Sequence, residues 1–247
     1  MTEAEWLACT SVDAMLYTFR DRPRDRKLLL FAAACCRRVW GLMTDERSRR
    51  LVEVAERHTD GLANDEALAA AGAEGHRAWS EACARFGTFA HPFEPPPEEL
   101  PGAWALRNSA CGAKELGRAV STAQPGQYGR SVAHAAAREC ARAVLADYEK
   151  SPERPAQCAL LRDIFGNPFR PASLQPAWLA PTVTSLAAAA YEERALPSGE
   201  LDPARLSALA DALEDAGCTD TALLGHLRAA GPHVRGCWAL DLVLGKQ

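Results

Sequence analysis

Four residues near the C-terminus carry the chemistry of a metal site: Cys218, His226, His233 and Cys237. Two thiolates and two imidazoles are a donor set that holds zinc in a tetrahedron, so zinc is the cofactor these residues could take. The gaps between the first three, seven and then six residues, follow no common zinc spacing. His233 and Cys237 are four apart and would share one face of a helix. Small core thiols and a solvated histidine are the commoner use of such residues.

The same pair suggests nucleophilic chemistry. A neutral His233 in the first turn of a final helix could draw the proton from Cys237 and leave a thiolate. Asp241 lies eight residues beyond His233, too far along one helix to orient that ring. A buried structural cysteine beside Trp238 is the plainer reading. Asp211, Glu214 and Asp215 read as a solvated acidic helix face. Arg37, Arg38, Arg47, Arg49 and Arg50 would bind nucleic acid only as one surface without acidic neighbours, and Glu46, Glu53 and Glu56 stand close by for pairing. No glycine-rich phosphate loop, HExxH or nucleophile elbow occurs.

The elements that must position these residues read as helices throughout. Thr2 and Glu5 form a capping box, and Ser11, Asp25, Thr44 and Asn64 open further helices. Residues 87–103, GTFAHPFEPPPEELPGA, contain five prolines and cannot continue a helix. Alanine-rich helices follow over about 104–122 and 129–149. The least generic stretch is CALLRDIFGNPFRPASLQPAWL, residues 158–179. There Leu160, Leu161, Ile164 and Phe165 make one apolar face, Gly166 can cap the helix in left-handed geometry, and Pro168 forbids its continuation. Pro181 and Asp202-Pro203 begin two more helices, Thr219 or Asp220 a short one, and Gly231-Pro232 the last. No alternation of apolar and polar residues is long enough to argue a sheet.

The chain has 247 residues, 48% of them hydrophobic, with a net charge of −4. That is enough to bury a core, and it supplies no global basic field for nucleic acid. No apolar run reaches the roughly 20 residues of a membrane span. The nine cysteines lack any CxxC pair, which suits reduced thiols in a cytoplasm better than a disulfide framework.

Two segments, LLRDIFGNPFRP at 160–171 and LADALEDAGC at 209–218 running on to HVRGCWALDLVLGK, carry a resemblance. With EWLACT and DRKLLLFAAACCRRVW nearer the N-terminus, they resemble an uncharacterised bacterial family, some members of which accompany domains associated with repeat proteins. The resemblance implies a shared domain and carries no activity, catalytic residue or cofactor. Its members often place a cysteine after the histidine at 226, where this chain has Leu227, and that difference weighs against a metal site common to the family.

The sequence therefore predicts an all-α, irregular multi-helix bundle. It divides the chain into a helical part at 1–90, a Pro-rich loop or linker at 91–103, and a C-terminal helical part at 104–247. The expected function is a cytoplasmic protein-interaction or regulatory module without catalysis, whose partner is another protein rather than nucleic acid or a membrane. The alternative is a metal- or thiol-dependent enzyme centred on Cys218, His226, His233 and Cys237. Asp241, in the apolar run that follows, needs a partner, and Arg170 in the Pro168–Pro171 turn is the expected one.

Overall fold

The computed structural model describes residues 1–19, 25–86, 111–114, 129–144 and 147–246. The Pro-rich segment 91–103, and all of the expected helix at 104–122 except 111–114, lie outside them. Among the described residues the chain is all-α, with one two-stranded ribbon. Among the described residues no helix is long and apolar enough to cross a membrane. The chain divides into a central unit, Cys9–Cys158, and a C-terminal unit, Ala159–Gln247 joined by Met1–Ala8. The division thus falls inside a helix, Glu153–Phe165.

In the central unit the helices are α2 (Val12–Tyr17), α3 (Asp25–Arg38), α4 (Glu46–Thr59), α5 (Asp65–Phe86) and α6 (Gly129–Val144). Polar caps start several of them, because the first turn of a helix has amides without internal partners. Ser11 accepts from the Ala14 amide, Asp45 from Arg47 and Asn64 from Ala67. Helix α3 packs against both α4 and α6, and α4 packs against α5. Gly75 permits the last approach, since a Cβ there would stand 2.5 Å from the Leu51 side chain.

Several arginines of this unit are paired among the described residues. Arg37 makes a bidentate, buried bridge to Glu56, Arg38 a bidentate but partly exposed one to Glu153, Arg47 binds Asp45 and Glu81, and Arg49 binds Glu46. Four of the five arginines that a nucleic-acid surface would need are therefore already neutralised. None of the nine cysteines is in a disulfide, and Cys36 and Cys140 meet at 3.8 Å between α3 and α6.

The C-terminal unit holds α1 (Glu3–Ala8), the end of α7 (Glu153–Phe165), α8 (Pro181–Glu192), α9 (Pro203–Asp215), α10 (Thr221–Leu227) and α11 (Trp238–Leu244). Asp202 and Asp220 cap α9 and α10 as their sequences predict. One apolar core joins Val183, Ala187 and Tyr191 of α8, Leu206, Leu209 and Leu213 of α9, Leu223 and Leu227 of α10, and Leu240 of α11. Strands β1 (Arg194–Ala195) and β2 (Glu200–Leu201) pair antiparallel, and Glu200 bridges to Val234. Strands of two residues are too short to leave an alternating pattern, so the sequence shows no sign of them.

Two expectations are corrected here. Gly231-Pro232 does not launch the last helix. Gly236 has φ of +89°, a left-handed conformation that interrupts helical geometry, and α11 begins only at Trp238. Arg170 does not partner Asp241. Its guanidinium is 78% exposed and binds Glu3 at 2.7 Å, whereas Asp241 is 2% exposed within α11. An ion pair so open to solvent contributes little, and Arg170→Ala should cost under about 1 kcal/mol in a denaturant titration. A loss near 3 kcal/mol would contradict this placement.

Candidate functional site

Helix α7 carries Leu160, Leu161, Ile164 and Phe165 into the interior, and Asp163 goes in with them at 2% exposure. A buried carboxylate must find hydrogen-bond donors. Asp163 finds three: Oδ1 lies 2.9 Å from His233 Nδ1 and 3.2 Å from His226 Nε2, and Oδ2 accepts the Val234 amide at 2.9 Å. Residues 229–237 are shaped to supply them. Leu201 donates its amide to the His233 carbonyl, holding this segment extended against β2, and the left-handed Gly236 turns it into α11. Cys237 stands at the N-cap of α11, fully buried, with its sulfur 3.2 Å from His226 Nε2.

The four side chains form one cluster. One donor atom from each of Asp163, His226, His233 and Cys237 lies within 4.8 Å of the other three. The two imidazoles meet edge to face, with centroids 4.8 Å apart at 88°, and Trp238 packs on His226 at 5.0 Å. The second nitrogen of His233 faces the Ala229 carbonyl at 3.0 Å.

Three of the four residues expected from the sequence thus come together and one does not. Cys218 is buried in the apolar core with Leu213 and Leu223, and Asp163 takes the fourth place. Leu227 is fully buried in that same core, so no side chain at 227 is called on by the cluster. Asp163 was missed because it lies far upstream, on a helix read for its apolar face. Its one signal is position: Asp163 is three residues after Leu160 and next to Ile164, so it points inward with them.

The electrostatics follow from burial and contact. Burial pushes Asp163 upward, but the hydrogen bonds and charges of His226 and His233 outweigh it and hold the carboxyl below its ordinary value. Burial pushes His233 down, and the Asp163 carboxylate with the Ala229 carbonyl more than reverses this, leaving the imidazole raised. Burial and the neighbouring Asp163 charge push the Cys237 thiol well up, against the opposing Ala239 and Leu240 amides.

These shifts fix a pH dependence for chelator-treated protein. A raised histidine stabilises the fold fully below its ordinary 6.5 and loses that contribution as pH climbs through its folded value. A lowered aspartate stabilises above its ordinary 3.8 and loses that as pH falls through its folded value. Stability of the C-terminal unit should therefore peak between about pH 4 and 6.5 and fall on both sides. Denaturant midpoints across pH 3–8 check it, and a midpoint still rising from pH 6 to 8 would contradict the assignment.

A hydrogen-bond relay for nucleophilic catalysis needs one ring to face the thiol with one nitrogen and the carboxylate with the other. Here a single nitrogen, His226 Nε2, faces both Asp163 and Cys237, and His233 turns its two nitrogens to Asp163 and Ala229. His233 also precedes the final helix instead of standing in its first turn. The cluster is thus four donors aimed at one point, and the thiol among them is sealed. No family model, curated protein or solved structure matches the chain, so the reading of this cluster rests on its geometry.

Proposed function

We propose that the chain is a non-catalytic helical module that serves recognition of another protein, and that the Asp163 cluster is the structural node fixing the shape of its C-terminal unit. The observation that carries this is the wiring of the node: the thiol is fully buried, and no imidazole faces it with one nitrogen and the carboxylate with the other. A catalytic cysteine needs a thiolate and a path for its substrate; Cys237 is held as a thiol, away from solvent. The paired arginines of α3 and α4 count against a nucleic-acid partner.

Alkylation of the native protein with iodoacetamide, followed by peptide mass mapping, tests the reading. The half-buried Cys9 and Cys111 should react first and Cys237 among the last. Modification of Cys237 ahead of them would overturn the structural node and restore the thiol-enzyme alternative.

A further inference from the structure

We propose that Asp163, His226, His233 and Cys237 form a closed, four-ligand zinc site, with Asp163 Oδ1, His226 Nε2, His233 Nδ1 and Cys237 Sγ as its donors. The inference rests on the cluster being a structural node and names the ion that the node holds.

Dimensions come first. Zinc bonds of about 2.0–2.3 Å in a tetrahedron put neighbouring donors roughly 3.3–3.6 Å apart. The Asp163–His233, Asp163–His226 and His226–Cys237 donor separations are 2.9, 3.2 and 3.2 Å, and all four donors lie within 4.8 Å. Shifts of a few tenths of an ångström along the shorter edges, and of at most about 1.2–1.5 Å along the longest, would admit the ion.

The surroundings of two of the donors agree. A histidine ligand ordinarily gives its other N–H to a carbonyl or carboxylate, and His233 Nε2 meets the Ala229 carbonyl at 3.0 Å. A ligating carboxylate is itself hydrogen-bonded, and the second oxygen of Asp163 accepts the Val234 amide.

The donor set selects the ion class. One sulfur, two imidazoles and one carboxylate are too soft and too few for magnesium or calcium, which take six or more oxygens. With four protein donors, three of them in residues no more than 3% exposed, no position remains for water or substrate, as in structural rather than catalytic zinc sites. The ion would tie the 226–237 segment to α7, joining parts of the chain far apart in sequence.

Elemental analysis of protein purified without chelator should find one zinc per chain. Replacement by Co2+ should give the strong visible bands of a tetrahedral centre together with a thiolate-to-metal charge-transfer band. Cys237→Ser should abolish that charge-transfer band, and Cys218→Ser should leave one zinc per chain and the band unchanged. Cys218→Ser lies outside the donor set, so it controls for general effects of losing a buried thiol. Protein that takes up neither Zn2+ nor Co2+, or a band that survives in Cys237→Ser, would overturn the zinc site. If Cys237 is still among the last thiols alkylated in protein without metal, the structural-node reading stands and the zinc assignment alone falls. If Cys237 reacts first, both fall.

Discussion

Asp163→Ala should destabilise the C-terminal unit by about 3–5 kcal/mol, the cost of removing one member of a buried charged network. The carboxylate is 2% exposed and answers three donors, His226, His233 and the Val234 amide. Alanine would leave His233 Nδ1 and the Val234 amide buried with no acceptor and His226 Nε2 with the Cys237 sulfur alone, and His233 would lose the charge that keeps it raised. The loss should appear as a lower denaturant midpoint and as faster hydrogen exchange in α9 and α11. Cys218→Ala removes a buried sulfur from the apolar core without touching the cluster, and should cost clearly less. A loss below about 1 kcal/mol for Asp163→Ala would show that the cluster contributes little to the fold. Asp163→Asn should fall between the two, because its carbonyl could still accept from Val234.

The parts of this structure that were legible in the sequence are those set by local chemistry. Asp202-Pro203 and Asp220 begin helices because a short side chain can satisfy first-turn amides, and Thr2 and Glu5 close a capping box. The all-α class followed from the helical spacing of apolar residues. The parts that were not legible depend on contacts distant in sequence. Asp163 reads as one more polar residue on an amphipathic helix until the 226–237 segment is placed beside it. The start of α11 was misplaced because Gly231-Pro232 resembles a helix start, and nothing local shows that residues 233–234 are drawn onto β2. The pairing of Arg170 with Asp241 rests on the need of a carboxylate in an apolar run for a partner and on the fixed turn that holds Arg170. Glu3, which holds Arg170 and also accepts from Asn167, comes from the opposite end of the chain.

Gly166→Ala is the sharpest test of how helix termination and the cluster are joined. Gly166 ends α7 at φ of +68°, where alanine costs about 1 kcal/mol from its Cβ alone. That Cβ would also stand 3.0 Å from Trp238 Cγ and 3.2 Å from its Cδ2. Trp238 packs on His226, so it has a ring of the cluster on one side and the new methyl on another. Crowding of this kind costs typically 1–3 kcal/mol, and the two effects together predict a loss of about 2–4 kcal/mol. Gly217 separates them, because it has a similar φ of +87° and nothing within 4 Å of its would-be Cβ. Gly217→Ala should therefore show the backbone cost alone, about 1 kcal/mol. If the two substitutions lower the denaturant midpoint equally, Trp238 yields freely and the α7 terminus is not coupled to the cluster. If Gly166→Ala costs the larger amount, and also shifts the visible bands of the Co2+-substituted protein, the turn after α7 helps to set the position of His226.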